Sequence, residues 1–464
     1  MRRSIPFRTS SVSAFAVAVF VIAQSGNISA QTSRATRTSF EAKELLLNND
    51  GSIVVVGSGY FGASKSDIVI VRLRPDGAID NAFGKNGFAF SDIANDSSDV
   101  AEAASLQPDG KILVGGWIAS GKEMPAGFSN NDLLLLRYNS DGSIDKSFGS
   151  NGKVVTSFSA DTSEWLRAIS IQPDGKIVAA ATVHDGSSND FAVVRFNPDG
   201  SLDTRFGLNG KVKTVVSRLG DLVRSVALGQ DGKILVAGET TTERRTDVAI
   251  VRYNGDGFLD KTFNGSGILT LGVGKNIDIG IWVAGMADAG LAIGIRSWGV
   301  MTGDIGQSVS SGDSFAVVRL SADGRMDESF GKNGIASEMI KARTRVWAED
   351  GAVAENGLIV IAGNVYNGYT VPTNLVMARF RKTGALDTSF GNGGKVITNP
   401  GPGAIVGNAL TLQKDGKILV AGSTAGPTGT VFAVARFAEN GTPDPTFGKA
   451  GKATLAPSPS LVAK

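Results

Sequence analysis

Seven arginines and seven aspartates recur along this chain at one fixed spacing: Arg72 and Asp80, Arg137 and Asp145, Arg195 and Asp203, Arg252 and Asp260, Arg319 and Asp327, Arg379 and Asp387, Arg436 and Asp444. In every copy the Asp stands eight residues after the Arg, a Phe eleven after it and a Gly fifteen after it. A guanidinium and a carboxylate held at constant separation form a charge-assisted pair, bidentate where the planes match. A pair present in every copy serves the repeat itself, so we read it as a clasp within one repeat, with the Phe plugging the gap to the next. The Asp can alternatively cap a short helical turn through its Asp-x-x-Phe segment.

Other chemistry is sparse. The absence of cysteine excludes disulfides, thiol nucleophiles and Cys-based metal sites. The single histidine, His184, precedes Asp185 and Gly186 in a loop. No nucleophile elbow, histidine metal cluster or phosphate-cradling loop is present. Calcium needs several oxygen ligands around one turn, whereas each Asp-Gly turn here offers one carboxylate followed by apolar residues. A quinone-cofactor propeller calls for a tryptophan pattern in each repeat, and Trp117, Trp165, Trp282, Trp298 and Trp347 do not fall at one repeat position. No cofactor, no metal and no catalytic residue are therefore assigned. Paired carboxylates that meet only in space stay open as the alternative.

The elements that position these residues are four extended runs per repeat. In the third copy they fall near Leu166 to Ile171, Lys176 to Ala180, Asp190 to Phe196 and Lys211 to Val216. The first two are joined by Asp174-Gly175, the signal of a two-residue type I′ hairpin, in which both central residues take positive φ. The second and third are nearly continuous apolar runs, as in strands covered on both faces. The first carries small residues such as Ala168, Ser170, Ser225 and Ala227. The fourth opens with lysine at Lys153, Lys211, Lys395 and Lys452, an edge charge that discourages aggregation. Four short antiparallel strands repeated seven times predict an all-β fold, a seven-bladed β-propeller of four-stranded antiparallel blades. If the first and last strands share a blade, Phe40 to Leu47 and Lys452 to Leu455 lie together.

Asp231 to Gly238 and Asp415 to Gly422, reading Asp-Gly-Lys-Ile-Leu-Val-Ala-Gly, together with Leu202 to Gly207 and Leu386 to Gly391, resemble the delta-60 repeat proteins. The resemblance covers about nine-tenths of the chain. It implies an exported bacterial propeller and no particular reaction. Departures are local: Asn264 follows Phe263 in place of Gly, Thr383 replaces a turn Asp, and Pro443 and Pro445 flank Asp444.

Residues 1–30 read as a signal peptide, with a basic start, an apolar core from Ala14 to Ala23 and small residues before Gln31. Ten apolar residues are too few to span a bilayer. Without Arg2, Arg3 and Arg8, 43 of the 46 basic residues face 44 acidic ones, a net charge of −1, and no basic cluster suits a nucleic acid. Residues 31–38 form a short linker, 39–456 the propeller and 457–464 a disordered tail. The expectation is an exported monomer in the periplasm, at the cell surface or outside the cell, with no stable membrane span after leader removal.

Repeat lengths vary in one place. From the turn residue to the motif Arg the intervals are 22, 28, 21, 21, 31, 23 and 21, so all the slack lies between the second and third strands. Aromatic residues on these loops, Trp117, Phe128, Trp298, Tyr366 and Tyr369, are the candidate ligand contacts. The function expected is a binding or scaffolding module for a glycan, cell-envelope or protein ligand; the alternative is a carbohydrate-active or other hydrolytic propeller using carboxylates at the channel mouth.

Overall fold

The computed structural model describes residues 38–458 and Leu461, apart from 62–65, 94–97, 124–128, 230, 275–276, 287, 299–313, 341–344, 368–370, 399–402 and 428. The described residues form 28 strands, five sheets of four and one of eight. Within each repeat the chain steps outward through four antiparallel strands, as in Ser163–Ile171, Ile177–His184, Asn189–Phe196 and Lys211–Thr214. The eight-stranded sheet holds two such meanders, joined by a single parallel bridge between Thr246 and Ile277.

The innermost strands form a closed circle. They are Thr38–Leu47, Asp99–Leu106, Ser163–Ile171, Asp221–Leu228, Ile277–Gly285, Arg345–Val353 and Val406–Leu412, each packed on the next and the last packed on the first. The apolar second and third strands explain this. Val54 and Val56 pack toward repeat two while Ile53 and Val55 pack toward repeat seven, so each sheet is buried on both faces. The hydrophobic core is thus a set of clusters between consecutive repeats rather than one central mass.

Closure uses side chains, not a shared sheet. Among the described residues, Thr38–Leu47 pairs only with Ile53–Phe61, and Lys452–Leu455 only with Thr430–Phe437. The two ends meet through the Phe40 and Phe432 rings, 5.7 Å apart, and through Asn408 Nδ2, which donates to Ala42 O at 2.8 Å.

Two local expectations need correction. Gln172 N donates to Lys176 O and Gly175 N to Gln172 O, and only the glycine takes positive φ (83°). The Asp-Gly hairpin is therefore a three-residue loop, a type I turn followed by a left-handed glycine, because Pro173 and Asp174 remain at negative φ. Nor are three of the four outer-strand lysines free edge charges. Lys395 pairs with Glu338 at 2.6 Å, Lys211 donates to Ser157 O and Lys452 to Gly403 O, each tying its sheet to the preceding repeat.

Candidate functional site

Two sets of arginines must be separated before a site can be assigned. In the first, each motif Arg places Nε 2.7–3.0 Å from Oδ2 of the Asp eight residues on. The other carboxylate oxygen, Oδ1, accepts the N–H two residues after the Asp, at 3.0–3.3 Å. Clasp and cap therefore coexist on one carboxylate. The guanidinium also crosses to the next repeat, where Nη1 donates to the carbonyls of Ser140, Pro198, Gly255, Ala322, Lys382, Glu439 and Pro75 in turn. The clasp thus joins repeats as well as fastening each one, and its last member, Arg436, reaches back to repeat one.

The motif Phe lies under its Arg at 4.5–4.9 Å in six repeats, from Arg72 over Phe83 to Arg436 over Phe447. It fills the step to the next repeat: a Cβ on Gly142 would stand 2.9 Å from the Phe83 ring. Asn264, which replaces a glycine, keeps φ at 49° and donates its N–H to Asp323 O like its counterparts. Burial would push the clasp carboxyls up, but the neighbouring hydroxyl, N–H and guanidinium bring Asp145 well below the usual range and hold Asp260 at about 2. Each such carboxylate is fully engaged, so it has nothing left for a ligand.

The second set lies on the innermost strands. Each of these strands bulges once, between Ala42 and Glu44, Ala101 and Ala103, Leu166 and Ala168, Val223 and Ser225, Gly280 and Trp282, Ala348 and Asp350, and Gly407 and Ala409. The extra residues are Lys43, Glu102, Arg167, Arg224, Ile281, Glu349 and Asn408. A bulge re-aims the residue it inserts, and in five repeats a glycine on the second strand makes room for it. A Cβ on Gly116 would stand 1.8 Å from Val100 O, and one on Gly57 2.0 Å from Glu41 O. Repeats three and five carry Ala181 and Ile295 there.

These side chains sense one another across the axis. Glu349 of repeat six lies in the fields of Arg296, Lys43 and Arg224, from repeats five, one and four. Arg167 pairs with Glu102 at 3.1 Å, Arg224 with Glu239 at 2.7 Å and Lys43 with Glu41 at 2.7 Å. Burial pushes the Glu349 carboxyl up against those cations. Next to this ring, Glu44 is pushed up to about 8 by burial and by Asp350, and Asp350 to about 7 by burial, although Leu410 and Gly351 donate their N–H groups to it at 2.7 Å.

A second layer stands closer to the face that carries the loops between second and third strands. The residue after the bulge-facing position is Ser58, Thr182, Asn364 and Ser423 in four repeats, and each accepts a backbone N–H of the neighbouring inner strand. Trp117, Glu239 and Arg296 replace it in the other three. Arg296 lies 4.9 Å over the Trp347 ring, and Trp347 meets Tyr366 at 4.5 Å with 40° between planes. Burial and Glu349 raise the Tyr366 hydroxyl.

The expected ligand residues are thus distributed unevenly. Tyr366 joins the axial group. Trp117, half-buried on Ile112–Glu123, faces repeat three. Trp298 ends Leu291–Trp298, its backbone paired with Ile277. Phe128 and Tyr369 lie outside the described residues. The tryptophan pattern also needs correction: Trp165 and Trp347 do share a position, two residues before the bulge, which the variable loops hide when counting from the motif Arg. Asp67, Asp92 and Asp99 form a further group, with oxygens within 4.8 Å of one another, that could hold a cation.

The axial ring was missed, yet it has a sequence signal. Lys43, Glu102, Arg167, Arg224, Ile281, Glu349 and Asn408 each stand seven residues before the hairpin turn residue.

The family described as "Domain of unknown function (DUF5122) beta-propeller" matches residues 49–83, 107–148, 172–206, 229–263, 355–390 and 413–447. No curated protein matches. Among solved structures, Sqt1 from Chaetomium thermophilum is 12% identical, covering 90% of this chain and 87% of that one with a TM-score of 0.47. A protein of unknown function from Dyadobacter fermentans is 12% identical, covering 74% and 97% with a TM-score of 0.39. The polysaccharide lyase Uly1 is 12% identical, covering 73% and 90% with a TM-score of 0.39. Six matches to one repeat, spaced along the sheets described above, support a β-propeller repeat architecture for this chain.

Proposed function

We propose that the chain is an exported seven-bladed propeller of the delta-60 type that acts as a binding module, with its ligand seated at the axial channel mouth on the face of the loops between second and third strands. The count of seven treats the eight-stranded sheet as two blades, since one bridge joins its halves. The observation that carries the binding role is the axial ring: one position, repeated in every inner strand, varies through Lys, Glu, Arg, Arg, Ile, Glu and Asn, and its Glu349 lies in the fields of Lys43 and Arg224 from different repeats. Repeated backbone with varied side chains is how a rigid scaffold makes a specific surface. The leader supports export, and the absence of a basic cluster speaks against a nucleic-acid partner.

A hydrolytic reading draws on a separate observation, the raised carboxyls of Glu349, Asp350 and Glu44 near the axis. Against it, Glu102 and Glu239 are each paired with an arginine.

The test is binding of the purified chain to an array of glycans and cell-wall polymers, beside Trp347→Ala and Trp117→Ala. Binding lost in Trp347→Ala at an unchanged unfolding midpoint supports the axial mouth. Binding lost only in Trp117→Ala moves the site outward to the loops. Release of reducing ends from a bound polymer, abolished in Glu349→Gln, replaces the binding role with the hydrolytic one.

A further inference from the structure

Resting on the axial site just proposed, we infer that its ligand is a carboxylate-bearing saccharide, a uronate-type unit whose carboxylate meets an arc of three arginines and whose ring lies against tryptophan. The charges are not scattered around the axis. Repeats three, four and five contribute Arg167, Arg224 and Arg296 in succession, while Glu102 of repeat two and Glu349 of repeat six flank that arc. Burial disfavours the Arg296 charge, and Arg224 lies close enough to add to that effect while Glu349 opposes it. Nature rarely holds like charges together in a half-buried place without a use for the field.

Each arginine is steadied by its neighbours. Glu239 takes Nη2 of Arg224 and leaves its Nε with no hydrogen-bond partner among the described residues. Glu102 holds Arg167 through Nη1. Arg296 lies in the field of Glu349 and stacks on Trp347. Forks oriented in advance lose little entropy when a carboxylate arrives, and the planar guanidinium matches its two oxygens.

Aromatic surface stands beside the arc. Trp165, on the first arginine's own strand, and Trp347, in the repeat after the last, occupy the same position two residues before the bulge, roughly 6–7 Å along the strand from it. Both are half-buried. Tyr366 extends the Trp347 surface. An inorganic anion would be served by the arginines alone and has no use for indole faces. A neutral sugar would stack on the indoles and has no use for three guanidinium groups. One ligand uses both features, a pyranose with an apolar face and a carboxylate.

Titration calorimetry of the full chain with oligomers of galacturonate, of glucuronate-containing units and of mannuronate tests this, with the methyl-esterified galacturonate oligomer and inorganic phosphate as controls. At least one uronate is expected to bind, more weakly as salt rises, and its neutral ester at least tenfold more weakly. Trp347→Ala at an unchanged unfolding midpoint, and Arg224→Ala paired with Glu239→Gln so that no buried carboxylate is stranded, are each expected to lower affinity tenfold or more, and Arg224→Lys to lower it less. Equal binding of acid and ester overturns the carboxylate assignment. Phosphate binding that Trp347→Ala leaves intact, without uronate binding, overturns the saccharide. No uronate binding, with a different array ligand lost in Trp347→Ala, overturns this inference and leaves the axial site standing. No array ligand at all overturns both.

Discussion

The motif arginines and the axial arginines are the same residue type on the same repeat, and they differ in almost everything else. The motif set is constant in all seven copies, is mostly buried, and is matched donor for acceptor with one aspartate and one carbonyl across the step to the next repeat. The axial set varies from copy to copy at a fixed position, from Lys to Glu to Arg to Ile to Asn. Constancy within a repeat array marks what every repeat needs in order to stand beside the next. Variation at a constant, spatially convergent position marks what the array presents as a whole.

Breaking the first set should cost folding. Phe206→Ala empties a fully buried position at the step between repeats three and four. It should destabilise by about 3–5 kcal/mol. Arg195→Ala strands the buried Asp203 carboxylate and removes the bond to Gly255 O. It should cost roughly 3 kcal/mol or more. Denaturant unfolding of both variants checks this. A loss below about 1 kcal/mol for Arg195→Ala would show that the clasp is ornamental and would erase the distinction drawn here.

Acid and base should act on the two sets with opposite sign. The clasp carboxyls of Asp145, Asp203, Asp260, Asp327, Asp387 and Asp444 lie below their ordinary range in the folded chain. Their contribution is present above about pH 4, the unfolded value, and is lost as pH falls toward 2. Glu44 and Asp350 are raised to about 8 and about 7. Their contribution is full below about pH 4 and is lost as pH climbs through 7 to 8. Unfolding midpoints against pH should therefore fall on both sides, steeply in acid and gently toward pH 8. The double variant Glu44→Gln, Asp350→Asn should flatten the alkaline limb and leave the acid limb unchanged. A variant that altered the acid limb would place these carboxyls in the wrong set.

The two sets were also unequally legible. The clasp was readable because its members lie close in sequence and at one spacing, so Arg137 and Asp145 announce each other. That Arg137 also reaches Pro198, 61 residues on, carries no such signal, because a backbone carbonyl has no residue type. The axial ring was harder for a physical reason. A bulge inserts one residue without changing the turn that follows, so Lys43 or Arg224 looks like an ordinary outward residue of a strand. Only the count back from the hairpin, seven in every repeat, exposes it. The three-residue hairpin was misread for a related reason: Asp-Gly serves a left-handed glycine after a type I turn as well as it serves a type I′ turn, and Pro173 ahead of it, with φ fixed near −65°, belongs to the former.

The smallest expected effect is the most informative. Arg167→Ala removes a partly exposed guanidinium whose ion pair among the described residues is with Glu102, and Glu102 keeps Lys43 beside it. Such pairs contribute about 0–1 kcal/mol, so the unfolding midpoint should barely move. Arg195→Ala removes the same atoms from the same kind of side chain. Measured side by side, a large loss at Arg195 and almost none at Arg167 would show that the repeat array does not need its axial charges in order to fold. Those charges must then be explained by something the folded ring does. A comparable loss at both would mean that the inner circle is held together by its salt bridges, and the axial ring would become a second clasp.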